Sequence, residues 1–161
     1  MSEEQKRLLE KQLWAVANLL RGKMNADEYK NYILGFIFYK YLSEKLERYI
    51  NEKLLSQENF TFSEVNENST DGKLVLKEVK AACVGHLGFF LKPTELFGYI
   101  CKKGKGEIKG QSNFILEDLK SILNTIEATS MGTSSEDDFK GLFNDVILES
   151  PKLGSSESKK N

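Results

Sequence analysis

Where apolar and polar residues alternate along this chain, they do so mostly with the period of an α-helix. The longest such stretch, Met24 to Leu55, carries Tyr29, Tyr32, Ile33, Phe36, Ile37, Tyr39, Leu42, Leu46, Tyr49 and Ile50 at three- and four-residue spacing, which aligns them along a helix. Asn25, with Glu28 three residues later, fits a capping box at its start. Between Tyr32 and Leu42 the apolar and aromatic residues go almost all the way round, and from Glu44 to Lys53 a charged outer face returns. Such a helix is expected to be a central post enclosed by other elements.

The same period predicts a first helix over Glu3–Leu20, with Leu9, Leu13, Val16 and Leu20 on one stripe, Trp14 beside it and Gly22 just past its end. A short loop then makes the two helices an antiparallel hairpin. Gln57 to Lys73 is polar throughout and reads as an exposed loop, followed by a third helix over Leu74–Val84. HLGFFLKP is the only strand-like stretch, too short to build a sheet alone. Pro93 suits the first turn of a fourth helix running to about Lys103, with Leu96, Phe97 and Ile100 inward. Asn113 fits the cap of a fifth, on which Ile115, Leu119, Ile122 and Ile126 form a stripe with Leu116 and Leu123 alongside. A short last helix is expected from Ser134 to Phe143, and the tail after Leu148 reads as unfolded. The expected fold is all-α, a bundle of about five to six helices around the long central one with at most a small β-hairpin. Residues 1–148 form the expected domain and 149–161 a flexible tail.

Composition changes little in this picture. The 161 residues suit a single domain, and a net charge of −1 supplies no global field toward nucleic acid or membrane. Any such binding has to come from a local patch. The N-terminus is charged and amphipathic, unlike a signal peptide, and the run ILGFIFYKYL falls short of the ~18–20 residues that span a bilayer. A cytoplasmic protein with Cys83 and Cys101 reduced is the expectation.

Candidate chemistry is sparse. The single histidine, His86, lies between a glycine and an apolar run and reads as a turn residue; Cys83, three positions earlier, lacks the further Cys or His needed for a tetrahedral metal site. Neither a GxxxxGK[ST] nor a GxGxxG after a strand is present. The acidic pairs Glu3-Glu4 and Asp137-Asp138 fall at helix starts, where carboxylates complement the backbone dipole. One segment carries a functional signal. Lys102, Lys103, Lys105 and Lys109, against Glu107 alone, leave three net positive charges on a glycine-rich loop. Such lysines can contact phosphates without reading bases, or simply keep a solvated loop soluble. Tyr39 and Tyr41 on the long helix, with Trp14, are candidates for contact with a partner or another domain.

The stretch LEKQLWAVANLLRGKMNADEYKNYILGFIFYKYLSEKLE resembles the N-terminal helical domain of the M (modification) subunit of type I restriction-modification DNA methyltransferases. The residues that carry the resemblance are Leu13, Trp14, Tyr29, Lys30, Tyr32, Ile33, Leu34, Phe38, Lys40, Tyr41, Leu42 and Ser43. It continues through LGFFLKPTELF, FILEDLKSILNTIE and GTSSEDDFKGLFNDVIL, and so spans nearly all of residues 3–153. The resemblance implies a subunit that uses S-adenosylmethionine to methylate adenine N6 in DNA. Its implied partners are a specificity subunit, a second M subunit and, in some assemblies, a restriction subunit.

This sequence departs from the family at the chemistry. The family's glycine-rich cofactor loop and its Asn-Pro-Pro-aromatic motif are both missing, since Pro93 and Pro151 are the only prolines and neither follows an asparagine. The expectation is a DNA-clamping and assembly domain without a catalytic or cofactor site of its own, inactive in isolation. Its candidate contacts are Lys102, Lys103, Lys105 and Lys109 to DNA, and Trp14, Tyr39 and Tyr41 to partners. The alternative is a helical module that docks proteins and leaves DNA alone.

Overall fold

The computed structural model describes Glu3, Glu4, Arg7, Lys11 and residues 26–113, 115–133 and 136–139. The chain divides into two compact units, Met1–Phe38 with Gly141–Asn161, and Tyr39–Lys140. The four described residues of the expected first helix are helical. The rest of that helix, Trp14, the proposed cap Asn25 and the tail lie outside the described residues.

The long helix is present as α1, Ala26–Tyr49. Its buried apolar positions form one seam, Tyr32, Phe36, Tyr39, Leu42 and Leu46, continued by Ile50 just past its end, as the three- and four-residue spacing requires. It is not enclosed on every side, however: Leu34 is 42% and Tyr41 61% exposed. An apolar residue on the outer face of a helix stays there when the seam alone supplies enough burial. At its end the helix widens into a π-turn, Ile50–Leu54, closed by the Leu55 N–H donating to the Ile50 carbonyl at 2.8 Å.

In the unit Tyr39–Lys140 the polar stretch after α1 is anchored rather than free. Phe62 is fully buried, inside a 3-10 turn Phe62–Glu64, and meets Phe90 edge-on at 6.0 Å. The Asn51 side-chain oxygen accepts the Phe62 N–H at 2.9 Å, and Glu64 accepts both the N–H and the hydroxyl of Thr61. These bonds from Thr61, its hydroxyl first, hold the Glu64 carboxyl below its ordinary pKa. Helix α2, Thr70–His86, starts four residues earlier than its apolar pattern indicates. Ser69 caps it by accepting the Gly72 N–H at 2.9 Å, and Gly88, in the left-handed region at φ +86°, donates to the Cys83 and Val84 carbonyls at its end.

The strand-like FFL stretch pairs with no strand, and no strand occurs among the described residues. Phe89, Phe90 and Leu91 are all buried. Successive side chains of an extended segment point opposite ways, so both faces are filled by core and no edge is left for a ladder. The Phe90 N–H goes instead to the Thr129 hydroxyl at 3.1 Å. The expected fourth helix is split into a 3-10 turn, Pro93–Glu95, and α3, Phe97–Gly104. Ser43 on α1 accepts the Phe97 N–H at 2.8 Å, satisfying one of the donors that a helix start leaves open. Helix α4, Leu116–Ser130, begins three residues after the expected cap Asn113 and buries the expected stripe, Ile115, Leu119, Ile122 and Ile126, with Leu116 and Leu123. A single turn, α5 at Glu136–Phe139, sets Phe139 against Phe89 at 5.7 Å. The fold is all-α.

Candidate functional site

The lysine loop joins α3 to α4. Its backbone is fixed by turns: the Gly106 N–H donates to the Lys103 carbonyl at 3.0 Å, Glu107 to Lys102 at 2.9 Å and Gln111 to Ile108 at 3.2 Å. Gly106 and Gly110 hold φ of +77° and +78°, a region open to glycine and strained for other side chains. The four lysines divide between two roles. Lys103 is half-buried, with its Nζ 2.9 Å from the Asp118 carboxylate in the first turn of α4. Lys102, Lys105 and Lys109 are exposed and enter no ion pair among the described residues. Lys102 and Lys103 stand in the last turn of α3 rather than on the loop, so the helix end and the loop together present three exposed cations.

Of the candidate contact aromatics, Trp14 lies outside the described residues. Tyr39 is completely buried, its ring tilted on Phe97 at 5.4 Å and its hydroxyl donating to the Glu95 carbonyl. Burial first, then the neighbouring Cys101, Glu95 and Asp118, push its phenol well above the usual range. Tyr41 is the one that faces outward, with the Lys45 ammonium 5.9 Å from its ring centre. Lys40, between them, is buried; its ammonium pairs with Glu44 and sits 5.7 Å over the Phe97 ring.

Cys83 and His86 do not converge. The thiol is buried in the core, while the exposed imidazole stacks flat on Tyr49 at 4.5 Å. Among the described residues no group of His, Cys, Asp and Glu is placed to hold a metal ion. An open hollow of about 250 Å³ at the end of α4 is lined by Asn124, Glu127, Ala128, Ser130, Met131 and Glu136, and the Ser130 hydroxyl there donates to the Glu127 backbone carbonyl at 2.7 Å. No described helix is long and apolar enough to cross a membrane.

A second basic feature escapes the apolar pattern, which starts α2 only at Leu74. Lys73, Lys77 and Lys80 recur at four- and three-residue spacing and are all exposed on α2. The lysine periodicity itself is the signal that would have found them.

The described residues thus form an all-α fold with exposed lysines on α2, at the end of α3 and on the loop that follows it. The family model described as HsdM N-terminal domain matches residues 9–161. The chain belongs to that family. It is 36% identical over 156 residues to the type I restriction enzyme MpnII methylase subunit of Mycoplasma pneumoniae (strain ATCC 29342 / M129 / Subtype 1), an alignment that covers 95% of this chain and 28% of the relative. The chain thus spans under a third of that relative's length. No solved structure gives a significant match.

Proposed function

We propose that this domain helps to hold a type I DNA methyltransferase on its DNA, with the α3–α4 loop laid against the phosphate backbone. The observation that carries the reading is the division among the four lysines: Lys103 is committed to Asp118, while Lys102 in the last turn of α3 and Lys105 and Lys109 on the loop enter no ion pair among the described residues. Lysine is a compact point charge suited to phosphate oxygens, and three of them contribute affinity without base preference. Adenine methylation, S-adenosylmethionine as donor, and the specificity and second M subunits as partners are proposed for the longer subunit. Among the described residues no strand leads into a glycine-rich cradle for such a cofactor. The test is DNA binding by the assembled methyltransferase with Lys102, Lys103, Lys105 and Lys109 changed to alanine. Affinity should fall, and the dependence of log K on log salt should flatten by about 0.9 for each phosphate no longer neutralised. An unchanged salt slope would remove the loop from the DNA.

A second reading, a module that docks protein alone, draws support from Tyr41. An aromatic ring 61% exposed on a helix is the kind of anchor that protein interfaces use. Tyr41→Ala that abolishes subunit assembly, together with a lysine-loop variant that leaves DNA affinity intact, would favour docking over clamping.

A further inference from the structure

We propose that α2 is a separate phosphate-contacting element, and that Lys73, Lys77 and Lys80 lie along the backbone of a nucleic-acid duplex. The inference rests on the DNA-holding reading above and concerns a different surface from the α3–α4 loop. All three side chains are exposed, on one line of a 17-residue helix. Their spacing places the charges about 6 Å and about 4.5 Å apart along the axis.

What sets the stripe apart is the lack of an acidic neighbour on its own helix. Residues three and four apart are the ones that meet on a helix surface. Around Lys73 these are Ser69, Thr70, Leu76 and Lys77; around Lys77 they are Lys73, Leu74, Lys80 and Ala81; around Lys80 they are Leu76, Lys77, Cys83 and Val84. The only charged side chains the stripe meets in its own helix are its own members. Like charges at this spacing destabilise a helix, and a solvated face usually interleaves the two signs. The helix does carry acids, Asp71 and Glu78, but both stand more than about 90° round the axis from the stripe. None of the three lysines enters an ion pair among the described residues.

The arrangement fits a polyanion better than a lipid surface. A helix that lies on a membrane needs a free apolar face, and α2 turns Val79 and Cys83 into the core. A short straight row of cations with no acid among them suits phosphates spaced along a duplex.

The experiment uses the 161-residue chain and a fluorescein-labelled duplex of arbitrary sequence, with anisotropy followed across a salt titration starting at low ionic strength. Relative to the parent, the K73Q/K77Q/K80Q variant should bind more weakly, and its slope of log K against log salt should be shallower by about 2.7, the value for three phosphates released. K73R/K77R/K80R should keep both affinity and slope. Thermal melts of the three proteins that coincide show that the fold is intact. If the parent binds and the glutamine variant keeps the same slope, the stripe is not a DNA surface, while the loop reading stands. Absence of binding by the parent at low salt overturns the proposal. An intact slope with impaired subunit assembly overturns it too, and assigns the stripe to an acidic protein face.

Discussion

Tyr39 and Tyr41 stand two positions apart on α1 and end in opposite environments. At roughly 100° per residue, two steps carry a side chain to the far side of the helix. Tyr39 therefore joins the seam under Phe97, and Tyr41 faces water. Between Tyr32 and Leu42 nearly every position is apolar or aromatic, so the pattern alone could not choose which stripe goes inward. The buried ammonium of Lys40 is tolerated because Glu44 pairs with it and its aliphatic stem can lie along apolar neighbours. Tyr39→Phe keeps the ring and leaves the Glu95 carbonyl without this donor, so it should cost about 1–2 kcal/mol in a urea titration. Phe62→Ala, which empties a fully buried site in a stretch that reads as exposed loop, should cost about 3–5 kcal/mol in the same measurement. A loss below about 1 kcal/mol would show that the segment is not anchored there.

At the scale of elements, apolar stripes placed the helices and left their ends unsettled. The stripe of α4 is buried as its spacing indicates, yet the helix starts at Leu116 and not at Asn113. The start of α2 was illegible because its first turn, Thr70 to Lys73, carries no large apolar residue; a cap and a close backbone approach fix it instead. At Gly72 a Cβ would stand 1.7 Å from the Asn66 carbonyl oxygen, a backbone atom that cannot swing aside. Gly→Ala inside a helix ordinarily stabilises by about 1 kcal/mol. Here the sign should reverse, with Gly72→Ala lowering the melting temperature. The neighbouring Ser69→Ala should cost about 1 kcal/mol by removing the cap. An alanine at 72 that raised the melting temperature would refute the packing of this turn. The failure of FFL to become a strand has a related cause. Three consecutive buried side chains use both faces of the segment, and a threonine supplies the hydrogen bond a partner strand would have given.

Over the whole molecule, a net charge of −1 conceals local concentrations of lysine: Lys73, Lys77 and Lys80 on α2, and Lys102, Lys105 and Lys109 around the α3–α4 loop, enter no ion pair among the described residues. Their local density, not the sum, decides whether a polyanion is held. Burial also writes a pH dependence into the fold. Desolvation raises the Cys83 thiol to about 12 and Cys101 to about 11 from an ordinary 9.0, the latter partly offset by Lys105 and Lys40. In the unfolded chain both thiols lose their protons first, so the unfolded state binds fewer protons above about pH 9. Stability is therefore full below that pH and declines as pH rises toward the folded values. The Tyr39 phenol, also raised by burial, acts in the same direction. Denaturant midpoints should fall from about pH 9 upward, less steeply in a variant with both cysteines changed to alanine. A midpoint flat through that range would contradict the burial of the two thiols.

By itself the sequence determined the all-α class, the long helix α1, the stripe of α4, the lysine cluster and the family, because periodicity and motif are local properties of the chain. Only the tertiary structure decided that Phe62 and the FFL stretch belong to the core, that Tyr39 is enclosed and Tyr41 is not, and that Lys103 is the lysine bound to Asp118. Each of these depends on a group distant in the sequence: Phe90, Thr129, Phe97, Asp118. Burial and pairing are relations between such segments, and no window of neighbouring residues contains them.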